Sequence, residues 1–128
     1  METRLEGMHL QLTRQCNLRC RMCGQWGEHG YMKEKEGSAE LGLEGFRALA
    51  REVSPLPQRL GFTLWGGEPL LAPWCATLAR ELKEQGHRCS IVTNGVLLAE
   101  KAGELKGLFD TVFVSLDGPP DVHDRVRG

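Results

Sequence analysis

The chain has 128 residues, 41% of them hydrophobic and 26% charged. That is the balance of an ordinary folded chain with at most one domain and a modest core. Sixteen Lys and Arg against seventeen Asp and Glu give a net charge of −1, which leaves no electrostatic footprint for nucleic acid or an anionic membrane. No uninterrupted apolar run opens the chain and none reaches the length of a membrane span, so no signal peptide is visible and a cytoplasmic protein is expected.

Met8–Thr13 reads as a first strand, ending where a cysteine-rich run begins. The Gly- and Glu-rich stretch Gly24–Gly42 reads as irregular, solvated loop. Leu43, Phe46, Leu49, Ala50 and Val53 recur at helical spacing, and Ser54-Pro55 stops that helix. Leu60–Trp65 is a second strand closed by Gly66-Gly67. Pro73 suits a first helical turn, and Leu71, Trp74, Cys75, Leu78, Ala79 and Leu82 form the apolar stripe of a helix that stops at Gly86. Cys89–Thr93 is a third strand, followed by Asn94-Gly95 and a helix over Leu97–Leu105 that Gly103 weakens. Thr111–Leu116 is a fourth strand, ended by Asp117-Gly118-Pro119-Pro120.

Strands separated by helices predict an α/β fold of right-handed parallel βα units. The strands read as near-continuous apolar runs, suited to a sheet with helices on one face and a filled interior on the other. Every distinctive polar or glycine-rich motif falls just after a strand, and in parallel α/β sheets and barrels those ends share the face that carries the active site.

Five cysteines, three of them clustered, in a chain without secretory features point to metal binding or catalysis rather than disulfides. Cys16, Cys20 and Cys23 are spaced C-x3-C-x2-C, with no fourth cysteine to continue the series. A cubane iron–sulfur cluster has four irons, so three protein thiolates leave one open for chemistry. The same loop also permits a zinc site in which His29 joins the three cysteines. Cys75 lies on a helical apolar stripe and Cys89 opens a strand at the opposite end of the sheet, so both read as small buried hydrophobes.

The cysteine spacing closely resembles the signature of the radical S-adenosylmethionine (radical SAM) family, and the later motifs follow in that family's order. Gly66-Gly67-Glu68-Pro69 resembles its GGEP motif, Thr93-Asn94-Gly95 its TNG position, and Ser115-Leu116-Asp117-Gly118 its fourth strand end. His123-Asp124 with Arg127-Gly128 matches an HDxxRG continuation common among members that modify peptides or build cofactors. The resemblance covers residues 8 to 128.

It implies a [4Fe–4S] cluster held by Cys16, Cys20 and Cys23, with the amino and carboxylate groups of S-adenosylmethionine on the fourth iron. It places Gly66, Gly67, Glu68 and Pro69 at the methionyl amino group, Thr93 and Asn94 near the carboxylate, and Ser115 and Asp117 near the ribose and carboxylate. Two glycines let backbone carbonyls come close to an ammonium, to which Glu68 adds a negative partner. Strand alternation puts Ser115 and Asp117 on one face, opposite Leu116. Met22 stands where the family usually has an aromatic residue near the adenine and keeps a polarizable apolar contact there. Arg14, Arg19 and Arg21 surround the cysteines, either to favour a reduced, anionic cluster or simply as solvated loop residues.

The implied activity is reductive cleavage of S-adenosylmethionine to a 5′-deoxyadenosyl radical that abstracts hydrogen from a peptide or small-molecule substrate, with no single catalytic side chain assigned. The implied partner is a reductant such as a flavodoxin or ferredoxin. A complete core in this family is a partial (βα)6 barrel, of which only four βα units can be counted here. The expected fold is therefore the N-terminal part of such a barrel, a single domain over residues 1–128 stopping just as a fourth helix should begin. The fourth strand would then be a bare apolar edge, which soluble proteins avoid. A truncated product is expected, marginally stable, prone to associate through that edge and lacking the regions that define the substrate. A non-enzymatic metal-binding module and an inactive fragment are the alternatives.

Overall fold

The computed structural model describes residues 4–127 apart from 36 and 38, with residue 35 described by its backbone. Strands β1 (Gly7–Thr13), β2 (Gly61–Gly66), β3 (Arg88–Thr93) and β4 (Thr111–Val114) form one sheet in the order β1-β2-β3-β4, and every neighbouring pair is parallel. Helices α1 (Gly42–Val53), α2 (Cys75–Glu84), α3 (Leu98–Leu105) and α4 (Pro120–Arg127) follow the strands in turn. Strand order that never reverses is the singly wound arrangement of a barrel wall rather than of a doubly wound sheet. The expected α/β fold of four βα units is therefore what the chain adopts.

Alternation along the strands sorts the side chains onto two faces. Leu10, Leu12, Phe62, Leu64, Cys89 and Ile91 point to one face, where they are buried against Phe46, Ala50 and Val53 of α1 and Leu78, Ala79 and Leu82 of α2. Full burial of each large side chain contributes about 1.5–3 kcal/mol. Arg47 ties the two helices together, its Nε donating to Glu81 Oε2 at 2.9 Å. The other face carries His9, Thr63, Ser90 and Thr111 in one row across all four strands. Gln11 beside Trp65, and Val92 beside Phe113, lie nearer the strand ends. Rows of this kind are how a barrel interior is layered. β1 therefore alternates, Met-His-Leu-Gln-Leu, instead of forming the continuous apolar run expected of every strand.

Four elements differ from the sequence expectation. The Gly24–Gly42 stretch is not wholly solvated: Tyr31–Lys35 form a 3-10 turn, Gly27, Gly30 and Met32 are buried, and Met32 N donates to Gln25 O at 2.9 Å. Leu71 belongs to a separate 3-10 turn (Pro69–Leu71) rather than to α2, because the Glu68 side chain caps that turn by accepting from Leu70 N at 3.1 Å. β4 ends at Val114, two residues early, although Ser115 N still donates to Thr93 O at 2.9 Å. A fourth helix is present, where the chain was expected to stop as that helix began. Its end is pinned to the cysteine loop by Arg21 N donating to Val126 O at 3.1 Å. Gly128, the last residue of the HDxxRG match, lies outside the described residues. β4 does form an edge with its apolar residues open to solvent, Val112, Phe113 and Val114 being 44%, 54% and 50% exposed.

Cys75 and Cys89 are fully buried, and burial pushes both thiols up to about 12, so they stay protonated and inert. His87 is also buried beneath the sheet, its Nδ1 accepting from Leu60 N at 3.3 Å and its ring edge-on to Phe62. Burial, helped by Arg59, holds its folded-state pKa below 6.5. The unfolded chain therefore takes up a proton near pH 6.5 that the folded chain resists. This contribution to stability is complete above pH 6.5 and lost as pH falls toward the folded-state value. The urea midpoint should decline below pH 6.5, and His87→Asn, which keeps an acceptor for Leu60 N, should flatten that decline. An equally steep decline in the variant would assign it to other groups.

Candidate functional site

At the C-terminal ends of the strands lies a cleft of about 220 Å³. Cys16, Cys20, Met22 and Cys23 line it from the loop after β1, Trp65, Gly66 and Gly67 from the end of β2 and just beyond it, Val92, Thr93 and Asn94 from the end of β3 and just beyond it, and Ser115 from beyond β4, with Arg127 of α4 completing the wall. The four post-strand motifs thus meet in one place. Glu68, Pro69 and Asp117 are beside the cleft but do not line it.

The cysteine loop is built largely from its own backbone. Cys23 N donates to Cys20 O at 3.0 Å and Gly27 N to Cys23 O at 2.8 Å. Leu18 N and Trp26 N donate to the Sγ atoms of Cys16 and Cys23 at 3.5 and 3.4 Å. Such N–H···S contacts favour thiolates and tune whatever metal they carry. Trp26 is the residue that sequence reasoning overlooked. Its indole Nε1 donates to Arg14 O and the Arg19 guanidinium lies 4.4 Å from the ring centroid. A large aromatic inside an otherwise Gly- and Glu-rich stretch was the available signal.

Gly66 and Gly67 serve first to seat this loop. Gly67 N donates to Thr13 O at 2.9 Å and Glu68 N to Gln15 O at 2.8 Å. A Cβ on Gly66, whose φ is +152°, would come within 2.3 Å of Thr13 O, and one on Gly67 within 2.2 Å of Gln15 O. The two glycines let one backbone lie directly on another.

Glu68 is fully buried, and its carboxylate is turned away from the cleft. Oε1 accepts from Leu70 N and from Thr93 Oγ1 at 2.8 Å, and Oε2 accepts from Asn94 N at 2.8 Å. It therefore clamps the end of β2 to the end of β3. Asn94 passes the clamp on, its Nδ2 donating to Asn17 Oδ1 at 2.7 Å and lying 4.0 Å from Cys16 Sγ. Asp117 carries the Arg127 guanidinium, whose Nε donates to Oδ2 and whose Nη2 donates to Oδ1 at 3.2 Å. Pro69 and Glu68 fix the turn behind the cleft.

None of the five cysteines is in a disulfide. The Cys16 thiol is pushed up chiefly by burial, opposed by the Leu18 amide and reinforced by Glu68, Cys20 and Cys23. Gathering anionic ligands in a half-buried cleft favours protons until a cation replaces them. Three thiols facing one cleft, two of them receiving backbone N–H donors, fit an iron–sulfur cluster. His29, the fourth ligand of the zinc alternative, is exposed and does not line the cleft. Among the described residues, no three His, Cys, Asp or Glu side chains converge on a single metal ion, and none of the helices is long and apolar enough to cross a membrane.

The fold is the wall of a βα barrel with a cleft at its strand ends, and the sequence matches the radical SAM superfamily over residues 10–128. The chain belongs to that superfamily, a family of enzymes whose cofactors are a [4Fe–4S] cluster and S-adenosylmethionine. It is 34% identical over 119 residues to Fe-coproporphyrin III synthase of Methanosarcina barkeri, covering 91% of this chain and 28% of that protein. It is 33% identical over 122 residues to the tungsten-containing aldehyde ferredoxin oxidoreductase cofactor-modifying protein of Pyrococcus furiosus, covering 93% of this chain and 33% of that one. A solved structure described as native anSMEcpe with bound AdoMet shares the fold, with a TM-score of 0.69 at 23% identity over 97% of this chain and 36% of the other. The chain spans a third or less of the two curated relatives.

Proposed function

We propose that Cys16, Cys20 and Cys23 hold a [4Fe–4S] cluster in this chain, and that S-adenosylmethionine binds in the same cleft. The observation that carries this reading is the meeting of the three thiols with Met22, Gly66, Gly67, Thr93, Asn94 and Ser115 in one cleft at the strand ends. When bound, the two cofactors supply one-electron cleavage of a sulfonium to a 5′-deoxyadenosyl radical. The chain's own residues bind and orient. Met22 and Val92 offer apolar contact to an adenine, and the Gly66 carbonyl and Ser115 hydroxyl offer polar groups. Glu68 and Asp117 act from behind, Glu68 by fixing Thr93 and Asn94 and Asp117 by fixing Arg127.

The substrate is a peptide or a small molecule of the cofactor-building class, the latter favoured by the names of the two relatives. The electron donor is a flavodoxin- or ferredoxin-like protein, and the reduced, unpaired thiols suit the cytoplasm. The exposed β4 edge suits further barrel strands, which would also exclude water from the radical.

Anaerobic reconstitution with iron and sulfide should give about four irons per chain, the stoichiometry of a cubane. Cys16→Ala, Cys20→Ala and Cys23→Ala should each lose most of that iron. Cys75→Ala and Cys89→Ala should keep it while lowering stability, because they cut only core atoms. Stoichiometric zinc without a visible cluster, or full iron in Cys20→Ala, would overturn the reading.

A further inference from the structure

We infer that Arg127, at the end of α4, is a positioning residue for the metal centre: its guanidinium, gripped by Asp117, stands in the cleft with the three thiols and favours the reduced state of a cluster bound there. The inference rests on the proposed cluster site. Three features of the structure carry it.

The first is placement. Arg127 lines the cleft with Cys16, Cys20 and Cys23 although it is far from them in sequence. The second is the grip. Two nitrogens of the guanidinium go to the two oxygens of Asp117, which fixes its plane, and the side chains are only 20% and 27% exposed. A two-pronged pair of this kind is directional as well as charged. Cys20, on the wall of the same cleft, is buried.

The third feature is the frame. Val126, next to Arg127, accepts from Arg21 N at 3.1 Å, inside the cysteine loop itself. At the helix start, Asp117 N donates to His123 Nδ1 at 3.4 Å. α4 is therefore coupled to the cysteine loop through the backbone, and to the segment after β4 through its side chains. This accounts for His123 and Arg127, which the cofactor contacts alone leave without a role. Arg19, by contrast, spends its guanidinium on the carbonyls of Cys16 and Leu18, at 2.7 and 2.9 Å, and braces the loop.

Reduction adds one negative charge to a centre already carrying three thiolates. A cation held in the cleft beside the ligand sulfurs stabilises that added charge and so raises the reduction potential. Asp117 offsets part of the charge while fixing the guanidinium in place.

The test is a potentiometric titration of the reconstituted cluster, without S-adenosylmethionine, followed by EPR in the wild-type chain, R127M, R127Q and R127K. Iron content and the urea midpoint of the cluster-free chains are measured alongside. R127M and R127Q should shift the reduction equilibrium at least tenfold against the reduced state, about 59 mV for one electron. R127K, which keeps the charge and loses the fork, should recover half or more of that shift. A purely structural role would lower stability and iron content while leaving the potential of the clusters that form unchanged. Should R127M hold no cluster, R127Q and R127K decide by the same comparison. Equal potentials in all loaded proteins would overturn this inference alone, whereas a wild-type chain that takes up no cluster would overturn it together with the proposed site.

Discussion

Glu68→Ala should remove most of the folding stability of the cluster-free chain and, with it, the cleft. The carboxylate is fully buried and serves three donors: Leu70 N, Thr93 Oγ1 and Asn94 N. Alanine would leave all three buried or half-buried without an acceptor, at about 1–3 kcal/mol each. That sum approaches the whole stability of a small domain. Glu68→Gln separates shape from charge. Its carbonyl can still serve Thr93 and Leu70, while its amide faces the Asn94 N–H, so a loss nearer about 1–3 kcal/mol is expected. Urea unfolding followed by circular dichroism measures both. A Glu68→Ala chain with the wild-type midpoint would mean that the carboxylate is not the clamp described here.

Gly67→Ala should be among the most damaging single methyl groups that can be added near the cleft. Its Cβ would lie 2.2 Å from Gln15 O and 2.5 Å from Arg14 O, both backbone atoms that no side-chain rotation can move. The loop must lift, breaking the bonds from Gly67 N to Thr13 O and from Glu68 N to Gln15 O. Overpacking of this kind costs about 1–3 kcal/mol or more. The lifted loop should also lose iron on reconstitution, because Cys16 follows Gln15 directly. Gly24→Ala is the control. It sits in the same loop region with nothing within 4 Å of the added Cβ, and should change stability by no more than about 0.5 kcal/mol. Matching iron content in the two variants would show that the close approach at Gly67 does not hold the cysteine loop.

Much of this architecture was legible in the sequence because parallel βα units write themselves in alternating periods. The apolar spacings of α1 and α2 and the short strands between them were sufficient for the α/β fold. The placement of glycine and polar motifs after each strand pointed to one face. Local patterns did not reveal where side chains are aimed. Glu68 and Asp117 were read as residues facing the cofactor, because a motif gives a position along the chain and not a χ angle. In the structure both serve neighbouring protein groups, one the end of β3 and the other Arg127. The loop from Gly24 to Gly42 was read from composition as solvated, yet Trp26 and Met32 pack inward through contacts set by the tertiary fold. The sequence marks only the start of α4, whose stripe is short and polar, and its attachment to Arg21 is a backbone bond with no sequence signature.

The central claim is that three thiols and four strand ends form one site for a cluster with an open iron and for S-adenosylmethionine. Adding S-adenosylmethionine to the reduced, reconstituted chain and recording the EPR spectrum tests it most directly. The cluster signal should change shape in the wild-type chain. It should also change in Cys75→Ala, whose thiol lies in the core behind the sheet. A four-iron signal that stays the same on adding the cofactor would contradict the account.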